Sequence, residues 1–157
     1  MGASTGEMLV DDIDALDDIF NYCPLIVVTH CEDPERVKTN EQIFLEKYGS
    51  NLSAEHHPYI RDVESCYLSS SLAVDLAKKY DADLHVFHLT TEKEMKLFTS
   101  GEVDNKKITA EVCVHHMHFN NSYYAELGNQ IKCNPSIKME SDRLALIDAL
   151  KGNKIDI

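Results

Sequence analysis

Six of the histidines lie in three short stretches: His30 in VVTHCED, His85 and His88 in LHVFHLT, and His115, His116 and His118 in EVCVHHMHF. Neutral imidazole is the commonest protein ligand of transition metals, and Zn²⁺ accepts its nitrogen at about 2.0–2.1 Å. A zinc site is therefore the first chemistry to weigh. The dense run invites it, but on a strand His115 and His116 point to opposite faces, and the run lacks the i, i+4 spacing of a helical zinc motif. The sparser His30 and His88 each close an apolar, β-branched run. Imidazoles at neighbouring strand ends converge more readily on one ion. Cys31 and Cys113 adjoin histidines in sequence, yet strand neighbours face apart, so a Cys–His nucleophile is not supported. Gly2-Ala3-Ser4-Thr5-Gly6 has the form G-x-S-x-G, but the nucleophile elbow needs a strand immediately before it and only Met1 precedes it.

The elements that must position these histidines follow from periodicity. Residues 9–22 repeat apolar side chains at helical spacing and stop at Pro24. PLIVVTH, 24–30, reads as a strand buried on both faces. Asp33-Pro34 opens a helix that Gly49 ends. A long amphipathic helix runs from His57 to about Tyr80, and 82–90 is a second strand. Residues 91–101 read as a helix, 107–116 as a third strand, 121–129 as a short helix, 130–135 as a fourth strand, and 141–153 as a helix. KIDI, 154–157, begins something strand-like.

Strands alternating with helices require right-handed crossovers and a parallel sheet, which makes the class α/β. Functional side chains in such folds gather at the carboxyl ends of the strands. His30, His88 and the His115–His116 pair end three of the expected strands, and Asn134 ends the fourth. A doubly wound sheet and a (β/α)₈ barrel both fit the alternation. A complete barrel takes about 250 residues, so the chain, at 157 residues, reads as part of one, a single segment over 1–157 truncated at both ends.

Composition limits the function classes. A net charge of -12 disfavours nucleic acid and anionic membranes, both of which need a basic footprint. No apolar run approaches the ~20 residues of a membrane span, and the N-terminus lacks the basic and apolar regions of a signal peptide. Five well-separated cysteines without C-x-x-C disfavour a disulfide scaffold or a zinc ribbon and favour a reducing, cytoplasmic setting.

The stretches GASTGEMLVDD, VVTHCED, HPYIRDVESCYLSSSLAVDLAKKY, LHVFHLTTEKEM, KITAEVCVHHMHF and IKCNPSIKMESDRLALIDALKGNKIDI resemble, in order, those of dihydroorotases of the amidohydrolase superfamily. The resemblance implies a TIM-type barrel with one or two Zn²⁺ at its carboxyl end. It also implies reversible hydrolysis of dihydroorotate to N-carbamoyl-aspartate, a step of pyrimidine synthesis. By the same resemblance His30 and His88 match the family's two single-histidine metal ligands, Asn134 matches a substrate-contacting residue, and His115 and His116 match a pair that is not a primary ligand pair. Glu32 or Thr90 would orient the ligand rings. The partner implied is the small-molecule substrate, in a chain free to form a homo-oligomer. The family's H-x-H, its bridging lysine or aspartate, and its D-H-[AS]-P aspartate have no counterpart here, so no catalytic acid/base is assigned and the isolated chain is expected to be inactive. An allantoinase- or hydantoinase-like enzyme, and a non-catalytic amidohydrolase-like assembly subunit, are the alternatives.

Overall fold

A computed structural model describes residue 10 and residues 12–157. The G-x-S-x-G match at 2–6 and the start of the first expected helix lie outside the described residues. Helix α1, Ile13–Tyr22, begins where Asp12 accepts the amide of Ala15 at 2.8 Å, and it buries Leu16 and Phe20. Strand β1, Val27–Thr29, follows Pro24, and helix α2, Pro34–Tyr48, starts on the Asp33 cap with proline in its first turn. Such capping satisfies amides that the helix itself leaves unpaired. Gly49 stops α2 at φ +51°, a left-handed conformation that glycine adopts without steric cost.

The long helix expected over 57–80 is two helices, α3, His57–Ile60, and α4, Val63–Tyr80. The break is local chemistry: Asp62 is extended, and its carboxylate accepts the Ser65 amide at 2.9 Å, which restarts the helix. Asp62→Ala should lower stability by about 0.5–2 kcal/mol, the range for such a cap, with the half-exposed Arg36 pair adding little, seen as a reduced urea midpoint at constant slope; an unchanged midpoint would show that the break needs no cap. The buried stripe Cys66, Ser69–Ser70, Ala73–Val74, Ala77 recurs at helical spacing, and its small side chains let α4 lie close to the sheet.

Strands β2, Leu84–Val86, and β3, Ile108–Ala110, complete a parallel sheet ordered β1-β2-β3, with Val27, Leu84 and Ile108 in register. Side chains alternate across it. Thr29, Leu84, Val86 and Ala110 are buried towards α1, α4 and the final helix. Val28, His85 and Thr109, one register row, face the other way. His85 is held there by Thr109 Oγ1 at 2.8 Å, while Val28 is exposed, so β1 is not buried on both faces among the described residues.

Beyond β2 the expected helix over 91–101 shrinks to one 3-10 turn, Lys93–Lys96. Buried Glu94 accounts for this: it accepts the amides of Thr90 and Thr91 and the hydroxyls of Ser70 and Thr91, tying the loop to α4. The third strand ends at Ala110, six residues short of expectation, and 114–118 forms a short helix, α5, Val114–His118. Helix α6, Tyr124–Leu127, follows. The expected strand at 130–135 is absent: Gly128–Ile131 is a 3-10 turn leading into irregular chain. Helix α7, Glu140–Lys151, then returns the chain to the sheet. There Asp156 donates its amide to Ala110 O at 2.9 Å and Ile157 O accepts that of Val112 at 2.9 Å, so 154–157 occupies the place beside β3. That position, open to KIDI, is where a fourth strand would pair.

Candidate functional site

The carboxyl ends of β1 and β2 bring His30 and His88 together. Their backbones are set by the ladder: Phe87 donates to Thr29 O at 2.9 Å, and Leu89 donates to Glu111 O at 2.8 Å. His88 lies between those two anchored residues at φ +38°, a left-handed conformation rare for a residue with a Cβ. Strain of this kind costs of order 1–3 kcal/mol and concentrates at functional sites. Its consequence is geometric. The His88 ring turns back over β1, and its Nε2 stands 3.0 Å from Nδ1 of His30, with the rings at 77°.

The other nitrogen of His30 meets Glu32 Oε2 at 3.1 Å. Glu32 is fully buried and also ion-paired with Arg61. Burial alone would raise its pKa, but the hydrogen bond from His30 and the charges of Arg61 and Lys138 hold it below the usual carboxylate range. An ionised Glu32 can only accept, so His30 Nε2–H donates to it and the Nδ1 lone pair faces His88. Burial, reinforced by His30, holds His88 below the ordinary imidazole value, which keeps its ring neutral. Its Nδ1 has no hydrogen-bond partner among the described residues.

These residues fit a divalent cation. Two imidazole nitrogens bound tetrahedrally to one Zn²⁺ lie ~3.3 Å apart, close to the 3.0 Å observed. A carboxylate behind the ligating ring is the usual outer partner that fixes tautomer and orientation. Glu32 does this for His30. Thr90, the other expected orienter, instead bonds away from the pair, through its amide to Glu94 and its hydroxyl to Cys66 of α4.

Asn134 lies apart from the histidine pair, on the rim of a cavity of about 430 Å³ that His57, Arg61 and Lys132 also line. Arg61 joins the two places, since it reaches Glu32 and its carbonyl accepts Ser136 Oγ at 2.9 Å. Buried Lys138 donates to that same hydroxyl at 2.7 Å. Arg61 and Lys138 are the site residues that sequence reading missed. Lys138 closes the CNPSIK stretch that carries the resemblance but had no role assigned there, and Arg61 stands at the helix break that Asp62 creates.

The dense run is not on a strand. Helix α5 puts Cys113, His115 and His116 on one side, with donor atoms within 4.8 Å of one another, and turns exposed His118 towards Phe119 and Tyr123. The opposite-faces argument therefore fails for His115 and His116, because β3 ends before them.

The three-stranded parallel sheet with helices outside and histidines at the strand ends has the fold of a stretch of a TIM-type barrel. The L-hydantoinase (dihydropyrimidinase) from Arthrobacter aurescens superposes with a TM-score of 0.86 over 99% of this chain and 35% of its own, at 18% identity. The curated relatives carry the more particular likeness, to dihydroorotases. The dihydroorotase of Carboxydothermus hydrogenoformans is 29% identical over 141 residues, covering 85% of this chain and 30% of its own length. An allantoinase of Streptomyces avermitilis is 25% identical over 131 residues, covering 83% and 28%. No family model matches. The chain spans about 30% of the length of the curated relatives it matches. The resemblance read in the sequence is thus borne out, as is the barrel class. Among the described residues no helix is long and apolar enough to cross a membrane.

Proposed function

We propose that these 157 residues supply central βα units of a dihydroorotase-type cyclic amidohydrolase, which hydrolyses dihydroorotate reversibly to N-carbamoyl-aspartate. The observation that carries this reading is the opposed pair His30 Nδ1 and His88 Nε2, with Glu32 behind the first ring. His30 and His88 hold the metal, taken as Zn²⁺. When bound, the cation supplies Lewis acidity towards the ring amide carbonyl. Glu32 keeps the His30 lone pair directed at it, and Arg61 keeps Glu32 ionised. Asn134 contacts the substrate from the irregular segment before α7, where it is exposed.

Two imidazoles are an incomplete ligand set, so no turnover is expected of the 157 residues alone. The test uses the longer polypeptide in which they occur, assayed with dihydroorotate, allantoin and hydantoin, each with Zn²⁺. Preference for dihydroorotate, abolished by His30→Ala or His88→Ala, is expected. Preference for either other ring would assign the sister activity, and no turnover of any ring would favour the assembly subunit. Glu32→Gln should weaken metal binding by about 10–100-fold, the usual effect of losing an outer partner, measured by competition with a chromogenic chelator; unchanged affinity would remove Glu32 from the site.

A further inference from the structure

We propose that Cys113, His115 and His116 form a second Zn²⁺ site, with one thiolate, two imidazoles and an open fourth position. It stands on its own geometry, independent of the reading of His30 and His88. Donor atoms of the three residues lie within 4.8 Å of one another. Cys113 and His116 are three residues apart around the turn that opens α5, the spacing that brings side chains together, and the His116 amide donates to Cys113 O at 3.0 Å.

The second observation concerns His116. Its Nε2 lies 3.0 Å from the carbonyl of Pro135. A carbonyl only accepts, so Nε2 carries the proton and Nδ1 the lone pair. Among the described residues that Nδ1 is buried without a hydrogen-bond partner, on a residue only 4% exposed. A buried acceptor without a donor is costly, and a ring nitrogen tied to a backbone carbonyl while the other is bare is the arrangement of a metal-ligating histidine.

Ligand atoms around one Zn²⁺ lie roughly 3.3–3.6 Å apart. The remaining gap closes by rotating His115, half-buried beside a cavity of about 270 Å³ that gives its ring room. Cys133 is the competing thiol. Its sulfur lies 3.7 Å from Nε2 of His116, the protonated nitrogen, and donates to Pro135 O at 3.2 Å, so it faces away from the bare nitrogen. On binding, the Cys113 thiol releases its proton to solvent as the sulfur–metal bond forms.

Titrating the 157-residue chain with Co²⁺ tests the proposal, because a thiolate-to-cobalt charge-transfer band reports a cysteine ligand that the His30–His88 pair lacks. The band should appear, be displaced by Zn²⁺, persist in His30→Ala and Cys133→Ser, and vanish in Cys113→Ser. His115→Ala should weaken Co²⁺ binding by more than the about 10–100-fold that losing an outer partner costs. Serine is nearly isosteric at half-buried Cys113, and matching circular dichroism verifies its fold. No band, a band that survives Cys113→Ser, or one lost instead in Cys133→Ser would overturn the assignment.

Discussion

Arg61→Met should destabilise the chain by about 3–5 kcal/mol, the cost of removing one partner from a buried ion pair. Glu32 is fully buried, and its Oε2 takes both His30 Nε2 and the Arg61 guanidinium, while its Oε1 has no hydrogen-bond partner among the described residues. Taking Arg61 away leaves that carboxylate with the His30 hydrogen bond and the charge of Lys138. The group then either stays ionised at a large desolvation cost or takes up a proton and loses its hold on His30. Urea unfolding reads the first effect. Glu32→Gln combined with Arg61→Met removes both charges, and it should recover a substantial part of the loss, since replacing a buried pair is far cheaper than halving it. A single-variant loss below about 1 kcal/mol, in the range of a solvent-exposed pair, would show that Glu32 is not electrostatically dependent on Arg61.

That pair also shows where sequence reading stops. His30 and His88 were legible because a parallel sheet sends functional groups to strand ends, and both residues close short apolar runs. The Asp33 cap was legible because proline follows it. Arg61 was not: it sits at a break in what reads as one amphipathic helix, and its partner is 29 residues away. The same limit explains the misread strands. KITAEVCVHH is rich in β-branched residues, but the strand ends at Ala110, and after two more ladder-like backbone contacts the chain turns into α5. IKCNP has strand-like residues, but the place beside β3 goes to 154–157, whose sequence is no more strand-like. Short apolar runs do not say which of them wins an edge; packing does. Reading a strand through His116 also hid the Cys113 cluster, since Cys113 and His116 point to opposite faces of a strand but meet, three residues apart, on a helical turn. His57, read as the start of a long helix, crosses 76 residues to donate to Cys133 O at 2.8 Å.

That contact makes His57 part of the second large effect, a steep loss of stability on mild acidification. Burial drives the pKa of His57 from 6.5 down to about 4 and that of His116 from 6.5 down to about 3. Both rings are almost inaccessible, at 6% and 4% exposure, so solvent screens them little. In the unfolded chain each histidine takes up a proton as pH falls through 6.5, while in the folded chain both remain neutral. The unfolded state then binds more protons, so stability falls with falling pH across this window and levels off only below the folded pKa values. A tenfold difference in proton affinity between the two states is worth ~1.4 kcal/mol, so His57 alone accounts for roughly 3 kcal/mol and His116 for somewhat more. That is a large share of the 5–15 kcal/mol typical of a domain. Glu32 adds in the same direction, but only below its ordinary value of 4.5, where its depressed pKa begins to cost the folded state. The first part of the decline, between pH 6.5 and 4.5, therefore belongs to the histidines. Urea midpoints across that range, with chelator present so that no metal competes for His116, should fall steadily for the parent chain. His57→Gln keeps an amide donor for Cys133 O but cannot titrate, and it should make the slope measurably shallower. A parent chain whose midpoint stays flat from pH 6.5 to 4.5 would mean that His57 and His116 take up protons in the folded state as readily as in the unfolded one.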